Sequence, residues 1–219
     1  MTSHAIEDYL KAIYELKQHS VMVSTNSLAS GLKIRPASVT GMVKKMAEMG
    51  LLNYRSYRGV SLTDHGLMQA SAIIRRHRLS ELYMVRMLGI PWDQVHDEAE
   101  KWEHVLSDDV ESRFDELLGN PNACPHGSPI PLKGEILKFI DDTPLTGMKQ
   151  GESAVVLKVD DRNAEMLRYF GELGLYPGVR FRVDSVAPGN SLIKVMTENA
   201  EFSLGYDAAK MIFVADIKR

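Results

Sequence analysis

Cysteine is almost missing from this chain: Cys124 is the single one in 219 residues. No internal disulfide can form, so the thiol is free, linked to another chain or used as a ligand, and the first and third suit a reducing compartment. Long hydrophobic runs are missing too. Nothing approaches the ~18 apolar residues that span a bilayer, and Met1 to Tyr9 contains no apolar export segment, so the expected location is cytoplasmic with no membrane partner. No internal repeat, phosphate-binding loop or nucleophile elbow is present, which removes the signatures of nucleotide hydrolases and serine hydrolases. What is there is ordinary for a globular protein: 44% hydrophobic and 25% charged residues, with a net charge of -3. A chain this long holds one to three domains.

The small net charge hides a strong asymmetry. Between Lys33 and Arg58 lie six basic residues (Lys33, Arg35, Lys44, Lys45, Arg55, Arg58) against Glu48 alone, whereas Asp97 to Glu116 carries nine acids against Lys101 and Arg113. A basic first third beside an acidic middle suggests an anionic partner at one end and a cation in the centre, unless the two are merely differently solvated faces.

Periodicity places the elements. Ile6, Leu10, Ile13, Tyr14 and Leu16 fit a first helix, Ser24 can cap a second carrying Leu28, Ala29 and Leu32, and Ala37 to Met49 forms a third with Val39, Met42, Val43 and Met46 inward. Helix, tight turn and basic helix make a helix-turn-helix. Strands Leu51 to Tyr54 and Val60 to Leu62 around the turn Arg55 to Gly59 add a wing whose guanidinium groups can meet DNA phosphates. On this reading Arg35, Ala37, Ser38, Thr40 and Gly41 approach base edges, with Pro36 beside them in the DNA-binding surface. Lys44, Lys45, Tyr57 and Arg58 serve the backbone and the wing.

Two longer helices are expected from Gly66 to Leu118. The first carries the stripe Leu67, Ala70, Ile74, His77, Glu81, Met84 and Leu88, interrupted by its two polar members. The second opens near Asp93 with Val95, Ala99, Trp102, Leu106, Val110 and Phe114, flanked by His96, Glu100, Glu103 and His104. Carboxylates and imidazoles set on or beside apolar stripes need partners, and a divalent cation satisfies several at once; ion-paired helix surface is the alternative. Gly119 to Thr146 follows with five of the nine prolines, an irregular connection containing Cys124, Pro125, His126 and Gly127. From Gly151 the pattern becomes short strands: Val155, Leu157 and Val159; Val179, Phe181 and Val183; Leu192 and Ile193; Phe202 and Leu204; Ile212 and Val214. One helix, Ala164 to Phe170, interrupts them, which suggests a small barrel.

EDYLKAIYEL from Glu7 to Leu16, the segment Arg75 to Glu81 and HDEAEKWEHVLSD from His96 to Asp108 occur together, with ELGLYPG from Glu172 to Gly178 downstream. In that combination the chain resembles the diphtheria toxin repressor family of metal-activated repressors. The resemblance implies a mainly α fold with β: a winged helix-turn-helix (1–65), a helical dimerisation and metal-binding domain (66–146), and an SH3-like domain of the ferrous-iron-transport protein A type (147–219). It implies a primary metal site of Asp8, Glu100, Glu103 and His104 and an ancillary site of His77, Glu81 and His96. Longer manganese-responsive members add groups that fall here on Cys124, His126 and Asp161, with Asp160 competing for the last place. Short members have glutamate where this chain has Lys11, which argues against their closely spaced two-metal arrangement.

The expected function is a homodimeric, non-enzymatic repressor that binds double-stranded operator DNA when activated by Mn²⁺, with Fe²⁺ the alternative, at two ions per subunit. Iron-type members have methionine and cysteine where Asp8 and Glu100 stand, and carboxylates suit Mn²⁺ better than sulfur does. Two rivals differ in kind. A metallohydrolase would turn over a phosphoester or peptide; a regulator sensing an organic molecule would bind its operator regardless of chelator.

Overall fold

The computed structural model describes residues 3–17, 22–138 and 142–218. They form two compact units: one of 1–77, 100–113 and 130–139, the other of 78–99, 114–129 and 140–219.

The first unit begins with helices α1 (His4–Lys17), α2 (Thr25–Gly31) and α3 (Pro36–Glu48). Ser24 caps α2, its Oγ accepting from Ser27 N at 3.0 Å. Arg35 is extended and Pro36 opens α3, where its fixed φ and missing N–H cost nothing. Val39, Val43 and Met46 of α3 are fully buried together with Leu10 and Ile13 of α1. This leaves the other side of α3 to solvent. Strands β1 (Leu52–Arg55) and β2 (Gly59–Leu62) pair antiparallel from Leu52↔Leu62 to Arg55↔Gly59, giving the expected wing.

Helix α4 (Asp64–Leu88) runs as expected, with Ala70, Ile74, His77, Glu81 and Met84 buried, but Leu88 at its end is exposed. Within the first unit, buried Arg75 on α4 donates to Glu111 Oε1 and to the Pro131 carbonyl, both at 2.7 Å. The expected second long helix is in fact two: α5 (His96–Trp102) and α6 (Asp108–Leu118). The break has a local cause. Ser107 begins a new N-terminus, its Oγ accepting from Val110 N at 3.3 Å and its carbonyl from Glu111 N at 2.9 Å, with Asp108 and Asp109 on the positive first turn. Glu103 and His104 therefore lie in a turn, and Val110, expected inside, is exposed.

The second unit contains the sheet domain. Strands β3 (Thr143–Pro144), β4 (Ser153–Val159), β5 (Arg180–Val186), β6 (Leu192–Thr197), β7 (Glu201–Gly205) and β8 (Ile212–Lys218) form one sheet in the order β3-β8-β4-β5-β6-β7, every neighbouring pair antiparallel. Helix α7 (Ala164–Glu172) packs Leu167 and Phe170 into its core, and a short α8 (Tyr206–Lys210), unforeseen in the sequence, adds Ala209. In β4 the buried residues are Ala154, Val156 and Val159, not the expected Val155 and Leu157. Register irregularities in the pairing with β8 shift the pleat, so simple alternation selects the wrong face.

Candidate metal centres and nucleic-acid interface

The first cluster lies within the first unit. Asp8 on α1 and the adjacent Glu103 and His104 bring ligand atoms within 4.8 Å of one another. His104 Nε2 is 3.0 Å from Asp8 Oδ1 and 3.7 Å from Glu103 Oε1. Its other nitrogen, Nδ1, is 2.7 Å from Glu7 Oε2, so Glu7 holds the Nδ1 proton and turns Nε2 toward the cluster. A carboxylate behind an imidazole is the usual support for a metal-binding histidine.

Glu103 is fully buried, and its two oxygens face different surroundings. Oε2 accepts from Lys11 Nζ at 2.7 Å and lies 2.5 Å from His77 Nδ1. Oε1 is buried with no hydrogen-bond partner among the described residues. A buried carboxylate oxygen left so costs free energy unless a cation or donor meets it. Burial, with the charges of Glu103 and Glu100, raises the Asp8 carboxyl above its ordinary pKa despite the opposing His104. Excess negative charge, an orphaned oxygen and an N/O donor set all fit a divalent cation.

Glu100 points elsewhere. Its Oε1 accepts from Lys11 Nζ at 2.6 Å, and the same ammonium lies 3.0 Å from His77 Nδ1. Lys11 is thus a resident cation held between Glu100, Glu103 and His77. Burial works against its charge, but Glu103, Glu100 and Glu15 outweigh that and raise its pKa.

The second cluster lies within the second unit. Glu81, Cys124 and His126, all buried, bring ligand atoms within 4.8 Å, and so do Glu81, His96 and Asp161. Glu81 Oε1 is 3.4 Å from both His96 Nδ1 and His126 Nδ1, and Asp161 Oδ2 is 3.7 Å from His126 Nδ1. Asp160 is spent on Arg162, accepting from its backbone N at 3.1 Å and from Nε at 2.9 Å. Burial and the Glu81 charge raise the Cys124 thiol. Burial alone would lower His126, but its contacts with Cys124 and Glu81 outweigh that and hold it well above the ordinary imidazole range. The Cys124–Gly127 turn sits against β4: Val159 N donates to the His126 carbonyl at 2.9 Å, and a Cβ at Gly127 would meet Leu157 O at 2.1 Å. Only glycine permits that approach.

Of the nucleic-acid set, Arg35, Pro36, Ala37, Ser38, Gly41, Lys44, Lys45, Tyr57 and Arg58 are exposed and Thr40 is half-buried. The Thr40 hydroxyl donates back to the Pro36 carbonyl at 3.4 Å. Tyr57 stands fully out from the wing tip with a left-handed φ of 62°. Neither Glu7 nor the cationic role of Lys11 is evident from the sequence pattern. Two acids followed by a lysine one turn after Asp8 were the available signal, readable only once Glu103 is known to lie opposite.

Comparison with known proteins agrees with this layout. Residues 1–60 match the iron-dependent repressor N-terminal DNA-binding domain, 63–132 the iron-dependent repressor metal-binding and dimerisation domain, and 143–216 the FeoA domain. The chain is 31% identical to the iron-dependent repressor IdeR of Mycobacterium leprae over 96% of both chains. A solved manganese-dependent transcriptional repressor in complex with manganese superposes with a TM-score of 0.88 at 36% identity, covering 96% of this chain and 99% of the other. ScaR with bound Zn²⁺ superposes with a TM-score of 0.82 at 34% identity, covering 96% and 98%.

Proposed function

The chain belongs to the iron-dependent (diphtheria toxin) repressor family, and from that premise we propose that it is a manganese-activated repressor of metal-uptake genes, acting in the cytoplasm as a homodimer on operator DNA. The family consists of metal-dependent DNA-binding transcriptional repressors, not enzymes, which sets aside the metallohydrolase reading. We divide the chain at 1–65, 66–146 and 147–219. No helix of the described residues is long and apolar enough to cross a membrane.

The observation that carries the reading is the buried Glu103 carboxylate, one oxygen on Lys11 and the other orphaned beside Asp8 and His104. A bound Mn²⁺ supplies there the positive charge that Asp8, Glu103 and His104 lack. Asp8 lies on α1, whose Leu10 and Ile13 share one buried core with Val39, Val43 and Met46 of α3, so its position is tied to that of α3. Glu7 fixes the His104 tautomer, and Lys11 already anchors α1 to Glu103. The site thus biases the orientation of the DNA-binding elements by no more than its difference in metal affinity between their two arrangements. Cys124, His126, Glu81, His96 and Asp161 hold the second ion of each subunit. Exposed Val110 and Leu117 on α6 offer apolar surface for the dimer to cover.

Manganese is preferred over iron because the first cluster offers two carboxylates and an imidazole without sulfur. The relatives' names divide between the two metals, one an iron-dependent repressor and the other a manganese-dependent one. The test is fluorescence anisotropy with a duplex selected from a random library in the presence of Mn²⁺. Binding should be weak in chelator and tight in buffered Mn²⁺, with Fe²⁺ less effective at equal free concentration. Equal affinity with and without metal refutes metal gating; a stronger response to Fe²⁺ refutes the choice of manganese.

A further inference from the structure

The second cluster has support that the ligand set does not include. His126 is completely buried, and its Nε2 lies 2.9 Å from the Trp92 carbonyl. A carbonyl only accepts, so Nε2 carries the proton and Nδ1 is left toward Glu81, Asp161 and Cys124. The direction of the ligating nitrogen is therefore set by where the Trp92 peptide sits.

That peptide is gripped by the sheet domain. The Trp92 indole packs against the His126 ring, centroids 5.6 Å apart, and against the Tyr176 ring, centroids 4.8 Å apart. Next to it, Asp93 Oδ2 accepts from Arg168 Nε at 3.2 Å and from Nη2 at 3.1 Å. Gly171 on α7 makes the approach feasible: a Cβ there would stand 3.0 Å from Tyr176 Oη and 3.2 Å from Trp92 Nε1. Arg168, Gly171 and Tyr176 all belong to the sheet domain, as does β4, on which the other side of the Cys124–Gly127 turn rests.

We propose that Trp92 is the positioning residue of the second metal site and that the sheet domain, through Tyr176 and Arg168, sets that site's affinity by fixing the Trp92 carbonyl on His126. This rests on the reading of the second cluster as a metal site. It gives the third domain a role beyond the ligand Asp161: docking of α7 on Trp92 and cation binding at His126 strengthen one another, because each holds the same peptide in place.

The experiment uses full-length protein and Co²⁺ as the probe, reading the thiolate-to-cobalt charge-transfer absorption that only Cys124 can give. Tyr176→Phe keeps the ring against Trp92 and should bind like wild type. Tyr176→Ala should need about 10- to 100-fold more Co²⁺ to develop the band, the range expected when support behind a ligand is lost. Arg168→Gln, at a half-exposed side chain that poses little risk to folding, should move the same way by less. Mn²⁺ affinity at the Asp8 cluster, followed by electron paramagnetic resonance in a Cys124→Ser background, should not change with either substitution. No band in wild type, or a band surviving Cys124→Ser, overturns the metal-site reading itself. A band lost in Cys124→Ser, but formed with wild-type affinity in whichever of Tyr176→Ala and Arg168→Gln folds, overturns the positioning role alone.

Discussion

Replacing Lys11 with methionine should make the metal-free protein less stable and the first site bind metal more tightly. The Lys11 side chain is 9% exposed and that of Glu103 is 0%, so removing the ammonium strands a carboxylate away from water. Glu100 is 42% exposed and can turn to solvent, so its share of the loss is small. Removing one partner of a buried pair typically costs about 3–5 kcal/mol. His77 Nδ1 also lies against Glu103 Oε2 and stays there, which puts the expected loss near ~3 kcal/mol, the low end of that range. A divalent cation beside Glu103 neutralises the stranded charge. If the whole loss is recovered on binding, the metal dissociation constant tightens by about 100-fold, since each 1.4 kcal/mol is worth about tenfold. Urea denaturation with chelator and with saturating Mn²⁺, together with calorimetric Mn²⁺ titration, measures both halves of the cycle. Metal-free stability within about 0.5 kcal/mol of wild type, as for an ordinary surface substitution, or unchanged Mn²⁺ affinity, would refute the resident-cation argument.

Other outcomes follow from the same geometry. Glu7→Gln removes the carboxylate that holds His104 Nδ1 and should weaken Mn²⁺ at the first site by about 10-fold or more while leaving Co²⁺ binding at Cys124 intact; equal losses at both sites would count against it. Arg58→Ala on the wing should weaken all duplexes alike and lower the salt slope by about one, whereas Ser38→Ala should alter sequence preference, each read by anisotropy across salt and sequence. Burial, with the charge of Glu81, raises the Cys124 thiol, so it is protonated at neutral pH and a cation must displace that proton. Affinity at the second site should therefore fall as pH falls, with about one proton or more released per ion in calorimetry across buffers of different ionisation enthalpy; zero release would contradict the assignment of a protonated thiol.

The winged helix was legible from sequence because its signals are local: a serine cap, a proline at the first turn of α3, and a 3.6-residue stripe whose members Val39, Val43 and Met46 are all buried. The break between α5 and α6 was not. Val95, Ala99, Trp102, Leu106 and Val110 keep helical spacing across it, and only the capping contacts of Ser107 show that the chain starts a new helix there. The face of β4 failed for a related reason, since register irregularities shift the pleat and nothing in Val155 or Leu157 announces them. Lys11 was beyond local reasoning altogether. A lysine's burial is decided by its partners, and these stand about 90 residues later in the chain.

On the proposed function, cation binding at Asp8, Glu103 and His104 and DNA binding by α3 and the wing share one free energy. Linkage makes that claim testable from the metal's side: if Mn²⁺ tightens DNA binding by some factor, the duplex must tighten Mn²⁺ binding by the same factor. Mn²⁺ affinity of the full-length protein should be measured by electron paramagnetic resonance with and without the selected duplex, in wild type and in Glu103→Gln. Mn²⁺ should bind more tightly with duplex present, on the order of 5- to 150-fold, with no such gain in Glu103→Gln. Identical Mn²⁺ affinity in wild type with and without duplex would contradict it.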